Sequence, residues 1–214
     1  MDPRAQREVW ERIAPSWSAA RAKPWPIVEQ FLDRLPRGAR VADVGAGGGR
    51  HTRAARARGL DATPIDAARA FRPDVRALAE ALPLRDASVD AVLLVAVLGT
   101  LPRRDDRVAA LREARRVLRP EGWLLCTMWA SGQPKHLRAQ LGLGPWRRAG
   151  PSQVWAPWVA GGARVDRLYY LYSAGELRAD LAAAGWAAAR PEPATLAARW
   201  RDNWVVRARK AGEA

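Results

Sequence analysis

Cysteine is nearly missing from this sequence: Cys126 stands alone among 214 residues, so no internal disulfide can form. Histidine is almost as scarce, and His51 and His136 with a single thiol argue against a structural zinc site, so no bound metal is expected. Long apolar runs are lacking as well. The longest uncharged stretch near the middle, Ala91 to Pro102, is too short to span a bilayer, and no N-terminal stretch has the apolar core of a leader peptide. The expectation is a soluble, intracellular (cytoplasmic) protein with no membrane partner. Acidic residues are the remaining shortage: 22 Asp and Glu stand against 36 Lys and Arg, a formal net charge of +14. That excess is larger than solubility requires and points to a polyanionic partner, the plainer alternative being a scattered basic surface.

What is present suits one globular domain over residues 1–214, with a hydrophobic fraction of 49% and length enough for a substantial core. The chain is organised around Val41-Ala42-Asp43-Val44-Gly45-Ala46-Gly47-Gly48-Gly49-Arg50, where a short β-rich run and an acidic residue lead into glycines and then a helical pattern. Such a strand-to-helix turn exposes backbone N–H groups to a ligand at the positive end of a helix. A dinucleotide fingerprint needs glycine at the sixth position counted from Gly45; Arg50 stands there, so that form is disfavoured. The spacing that remains, Gly-x-Gly-x-Gly preceded by Asp43, resembles motif I of the Rossmann-like S-adenosylmethionine-dependent methyltransferases, with a ligand-free tight turn as the alternative.

Around this turn, residues 1–38 read as a helical cap: a helix over about 2–13, a loop through Pro15 and the Lys23-Pro24-Trp25-Pro26 segment, and a second helix over about Ile27–Leu35. Strand one covers Ala39–Val44, a basic helix follows over His51–Arg58, and strand two, Asp61–Ile65, ends at Asp66. Asp66 lies 17 positions beyond Gly49, near the offset of about 20 at which a carboxylate can accept from both ribose hydroxyls; it could equally cap the following helix, and the two roles are compatible. A short strand is expected near Asp74–Leu78. Ala91–Leu98, continuously apolar, reads as the central strand buried on both faces. A helix over Arg103–Leu118 and a strand over Trp123–Trp129 follow.

Residues 130–163 show little periodicity and many Gly, Pro, Trp and basic residues, and read as a long inserted loop, functional rather than disordered because of its tryptophans. Order returns with a strand over Leu168–Tyr172, a helix over Ala174–Ala184 and a final β-pair, Trp186–Ala189 with Trp204–Ala208. The alternation predicts an α/β fold, and the resemblance of motif I implies that it is of the Rossmann-like class I methyltransferase type. It is a mostly parallel twisted sheet with helices on both faces, the insertion before the last strands and the ligand at the carboxyl edge near strand one.

Outside motif I, further segments resemble one subfamily: the tRNA methyltransferases that esterify 5-carboxymethyluridine at the anticodon wobble position. The similar segments are Val9-Trp10-Glu11-Arg12-Ile13-Ala14-Pro15; Arg21 with Lys23-Pro24-Trp25-Pro26; Arg104, Arg107 and Val108; Trp155 to Val159; Arg167-Leu168-Tyr169-Tyr170-Leu171-Tyr172 with Gly175-Glu176-Leu177; and Arg201-Asp202-Asn203-Trp204. The resemblance implies S-adenosylmethionine as cofactor and S-adenosylhomocysteine as product, held by Asp43, Gly45, Ala46, Gly47, Gly49, Asp66, Glu80, Ala81 and Val95. It implies a cradle for the substrate carboxylate from Arg21 and Arg201, with Tyr170 and Tyr172 donating to or stacking on the flipped base. The tRNA anticodon loop would meet Trp25, Arg104, Arg107, Arg147, Arg148, Asn203 and Trp204, and Arg50, Arg53, Arg56 and Arg58 would meet phosphates. Family members commonly work with a small zinc-binding activator that adds a strand to the sheet edge. Two departures stand out: Gly99-Thr100 occupies the place of the family's paired histidines, and Leu78 that of an aspartate, for which Glu80 or the backbone of Ala79–Ala81 could substitute. Each assignment has a plainer counterpart: Arg201 paired with Asp202, strand tyrosines in the core, and arginines on solvated helix faces. Two other functions fit the residues, methylation of a small molecule and a non-catalytic RNA-binding scaffold.

Overall fold

The computed structural model describes residues 3–194 and 202–212. Its main sheet has seven strands in the order β3-β2-β1-β4-β5-β10-β9. These are β1 (Arg40–Val44), β2 (Asp61–Asp66), β3 (Val75–Arg76), β4 (Val89–Val95), β5 (Leu118–Trp129), β9 (Pro191–Ala194) and β10 (Asn203–Arg209). The strands from β3 to β5 are parallel, whereas β10 is antiparallel to β5 and to β9. β4 is buried along its whole length, as its unbroken apolar sequence requires of a strand covered on both sides. Its alternate residues serve two cores. Ala91, Leu93 and Val95 pack with Val28, Phe31 and Leu32 of α2 (Pro26–Leu32) and Ala55 of α3 (Arg50–Arg56). Val92 and Leu94 pack with Val108 and Leu111 of α4 (Arg104–Val117) and Leu177 and Leu181 of α6 (Ala174–Ala183). The order of the sheet reverses between β1 and β4, so a crevice opens at their carboxyl ends.

Several elements depart from the sequence expectation. The first helix, α1 (Pro3–Ala20), does not stop at residue 13 but runs through Pro15. Proline forfeits one backbone hydrogen bond there, and burial of Ile13 and Ala14 together with ring contacts of Trp10 and Trp17 holds the helix together. The inserted region is not a loop. It folds as α5 (Pro134–Gln140) and a second, antiparallel sheet of β6 (Arg147–Gly150), β7 (Gln153–Ala160) and β8 (Ala163–Tyr170). The expected strand at 168–172 belongs to this sheet and reaches the main one through a bridge between Tyr172 and Ala130. The pair proposed for residues 186–189 is also corrected: that stretch forms turns, Trp186 N donating to Leu181 O and Ala189 N to Trp186 O, and β9 takes its place beside β10. α6 begins with a reciprocal cap in which Ser173 Oγ accepts from Glu176 N and Glu176 accepts from Ser173 N at 2.8 Å. Gly175-Glu176-Leu177 is thereby a folding motif.

Candidate active site

The second sheet and α1 stand over the carboxyl ends of β1 and β4 and enclose a cavity of about 330 Å³ with two chemically different ends. The glycine loop forms one end. Gly45 has φ +70°, and a Cβ there would lie 2.4 Å from Val97 Cγ2; Gly49, at φ +70°, is the residue from which α3 starts. Only glycine adopts such turns without strain. Asp66 locks the loop by accepting from Gly47 N and Ala68 N, both at 2.9 Å. Burial raises its pKa, against the lowering effect of those N–H groups. Asp43 lies beneath the loop, 1% exposed, and accepts from Thr52 Oγ1 at 2.6 Å. Burial pushes its pKa up to about 6. Glu80 also lines the cavity; its Oε2 is buried and finds no partner among the described residues, and burial raises its pKa.

The other end is aromatic and basic. Trp10, Trp17, Trp129, Trp146 and Tyr169 line it together with Arg21 and Arg167, while Trp25, Arg50 and His51 form its floor beside the loop. Tyr169 stacks on Trp129 at 4.2 Å between centroids, and Trp17 meets Trp10 edge-on at 5.2 Å. Arg50 lies over Trp25 and donates to His51 Nε2 at 3.1 Å. Burial and then repulsion from Arg21 push the Arg50 pKa down to about 10.

His51 is 3% exposed and its pKa is pushed down to about 3, by burial first and Arg50 second. Its contribution to stability is therefore complete above the unfolded value near 6.5 and is lost as pH falls toward the folded one, at up to about 1.4 kcal/mol per pH unit. His51→Gln keeps an acceptor for Arg50 without titrating. Its melting temperature relative to the native chain is expected to rise steadily as pH is lowered from 7 to 5; a constant difference would show that position 51 does not titrate in this way.

The structure brings Arg21, Trp25, Gly45, Ala46, Gly47, Asp66, Glu80 and Val95 to the cavity. It does not bring Asp43, Gly49 or Ala81 to its wall, although the first two shape the loop. Arg201 lies outside the described residues. Tyr170 and Tyr172 are corrected most sharply, because they point away from the cavity. Tyr172 is fully buried and donates to Asp180 at 3.1 Å, and Tyr170 donates to Glu176 at 2.6 Å beneath the Arg107 guanidinium, which lies 3.6 Å from its ring centre. Arg107, 3% exposed, is held 3.5 Å from the buried Asp180, which braces α4 against α6 and leaves Arg107 no access to a phosphate, whereas Arg104 reaches the same carboxylate at 2.7 Å from an exposed position. Asn203 is buried and donates to Asp202, so it is not a surface group for RNA, and Trp204, half-buried against the main core, donates to Tyr172 O. Arg147 is exposed but pairs with Asp166 at 2.6 Å, and Arg148 is exposed on the same strand. Arg56 pairs with Asp74, Arg58 with Asp33, and Arg53 donates to Gly48 O.

Arg167, Tyr169, Trp10 and Trp17 were not singled out as site residues by sequence reasoning. The usable signals were the strand alternation that puts Arg167 and Tyr169 on one face and Tyr170 and Tyr172 on the other, and the seven-residue spacing of the two tryptophans on one helix face.

The sheet order and the glycine loop define a Rossmann-like methyltransferase fold, and residues 42–126 match the family model described as a methyltransferase domain. A Haloferax volcanii methyltransferase, solved as a complex with the Trm112 methyltransferase activator, shares the fold at a TM-score of 0.67 and 17% identity, over 97% of this chain and 98% of that one. In sequence the chain is similar to the tRNA (carboxymethyluridine(34)-5-O)-methyltransferase ALKBH8 of Macaca fascicularis, 37% identical over 133 residues, which are 59% of this chain and 20% of that protein. It is also similar to the tRNA (carboxymethyluridine(34)-5-O)-methyltransferase of Saccharomyces cerevisiae, 31% identical over 164 residues, 71% of this chain and 55% of that protein. The chain spans between a fifth and about half of the length of these relatives. The resemblance drawn from its motifs is the one the comparisons return.

Proposed function

We propose that this chain is an S-adenosylmethionine-dependent methyltransferase that esterifies the carboxylate of 5-carboxymethyluridine at the tRNA wobble position, releasing S-adenosylhomocysteine. The observation that carries this reading is the two-ended cavity, in which an acidic, glycine-walled end meets an aromatic, arginine-bearing one. The residues at the first end fit the cofactor: Asp66 retains acceptor capacity for ribose hydroxyls, the buried and unpartnered Glu80 Oε2 suits an amino group such as that of adenine, and the positive-φ glycines leave room for close approach. Held there, S-adenosylmethionine would supply a methyl group on a sulfonium, which an electron pair of the substrate carboxylate would take as an O–CH3 bond while the S–CH3 pair returned to sulfur as a neutral thioether.

The protein's part is placement. A carboxylate with an ordinary pKa near 4 is already ionised at neutral pH, so no residue need take a proton. Arg21 orients one carboxylate oxygen, the aromatic walls exclude water, and the indole faces take up the base. The absence of histidines at Gly99-Thr100 is compatible with this chemistry, since nothing there must titrate. Single-turnover methylation of carboxymethyluridine-containing tRNA, followed by mass spectrometry of the nucleosides, is expected to yield the methyl ester at a rate nearly constant from about pH 6.5 to 8.5, above the raised Asp43 titration. A rate climbing tenfold per pH unit would point to a hydroxyl or amine acceptor activated by a base and favour a small-molecule substrate.

A small activator subunit belongs to the same proposal, supported by the complex solved for the Haloferax relative. Added activator is expected to raise the rate without changing the product. Among the described residues no helix is long and apolar enough to cross a membrane.

A further inference from the structure

Arg167 is 4% exposed, yet the structure shows it with no counter-ion among the described residues: on its own strand Asp166 pairs with Arg147 and Arg164 instead. Its Nη1 donates to Tyr169 Oη at 3.0 Å and its Nη2 to Pro157 O at 3.4 Å, and its Nε is buried without a partner. Around it stand Trp17, Tyr169 and Trp158, with ring centres 5.0, 5.2 and 5.3 Å from the guanidinium carbon. Arg21 lies over the same Trp17 ring at 5.1 Å. Two guanidinium groups thus share one indole at the wall of the cavity. The acidic residues lining that cavity are engaged with other groups: Asp66 accepts from the glycine loop, Glu80 feels the charge of Asp106, and Asp202 accepts from Asn203.

A buried cation left without an anion is costly and is retained only where something else makes up the loss. Aromatic faces recover part of it, through their quadrupoles, but they offer no hydrogen-bond acceptor to Nε. The missing partner is therefore an acceptor that arrives with a ligand, and its chemistry is a planar carboxylate, which matches the fork of guanidinium donors. We propose that Arg167 is the residue that holds the carboxylate of the acceptor, with Arg21 beside it and the acceptor's ring between the tryptophans. This rests on the methyl-transfer reading above. It adds Arg167 to the carboxylate cradle expected of Arg21 and Arg201, and it moves the contacts to the base from the even-numbered tyrosines of the 167–172 segment to the odd-numbered face. Tyr169 contributes as well: its oxygen is engaged by Arg167, which turns its own proton toward another acceptor.

The test compares two anticodon stem-loop RNAs, one with 5-carboxymethyluridine and one with the uncharged 5-carbamoylmethyluridine, binding to the protein saturated with S-adenosylhomocysteine so that no turnover occurs. The native chain is expected to bind the carboxylate form at least tenfold more tightly. In Arg167→Met that preference should fall at least fivefold while affinity for S-adenosylhomocysteine stays within twofold. Its melting temperature should hold or rise, because an apolar side chain of similar length replaces a desolvated charge. A role confined to structure predicts the opposite pair, a lower melting temperature and an intact preference. Retention of the native preference in Arg167→Met overturns the assignment and leaves the methyl-transfer reading standing. A native chain that shows neither preference nor ester formation overturns both. Should Arg167→Met not fold, Arg167→Lys decides: it keeps the charge but loses the fork, so the preference should drop at least threefold, and an unchanged preference overturns the proposal.

Discussion

Gly45→Ala is expected to weaken S-adenosylmethionine binding by about a hundredfold, the free-energy equivalent of about 2.7 kcal/mol. Two independent effects add. The backbone at this position has φ +70°, a region that costs an L residue about 1–2 kcal/mol. The new methyl carbon would also lie 2.4 Å from Val97 Cγ2, so either the loop or the start of the segment after β4 must move. The loop has little freedom to do so, since Gly45 N and Ala46 N are both bonded to Ile65 O. Calorimetric titration measures the loss, and Val97→Ala added to Gly45→Ala should recover part of it by removing the clashing methyl while leaving the backbone strain. An unchanged dissociation constant in the single variant would show that this loop is not the cofactor's wall.

Asp66→Ala is expected to cost at least tenfold in the same titration. Charge-assisted hydrogen bonds contribute about 1.5–3 kcal/mol each, and this carboxylate serves on two fronts. It accepts from Gly47 N and Ala68 N within the protein and has capacity left for hydroxyls in the cavity. Because the internal bonds also fix the loop, a small fall in melting temperature should accompany the loss. Asp66→Asn keeps one acceptor oxygen and should fall between the native chain and the alanine variant. Equal affinities across the three proteins would place the ribose elsewhere.

Much of this architecture was legible from pattern alone, and the reasons are specific. β4 announced itself because a strand covered on both faces has no use for polar residues, and the glycine turn with Asp66 was legible because few sequences meet those backbone demands together. The inserted region hid its order. β7 and β8 are stabilised by α1, far away in sequence: Trp158 Nε1 donates to Ser16 Oγ, and Gln6 Nε2 donates to Leu168 O. No local window contains both partners. The site was half legible for a related reason. In the segment from Arg167 to Tyr172 a one-residue difference in register exchanges the faces of a strand, and tyrosines drew attention to the face that the structure turns toward Glu176 and Asp180. Arg107 misled in the same way, since an arginine in the first turns of a helix reads identically whether it meets a phosphate or the buried Asp180.

The tryptophans have a further consequence, in the photophysics of the protein. Of the eleven in the chain, Trp10, Trp17, Trp25, Trp129 and Trp146 line the one cavity. Indole emission responds to polarity and to nearby quenchers, so filling that cavity with a base alters the emission of several rings at once. Trp123, at 40% exposure on the far part of β5, offers a solvent-facing reference in the same spectrum. Ligand entry is in this sense already labelled: a stopped-flow trace of native fluorescence can follow occupancy of each end of the cavity without any attached dye.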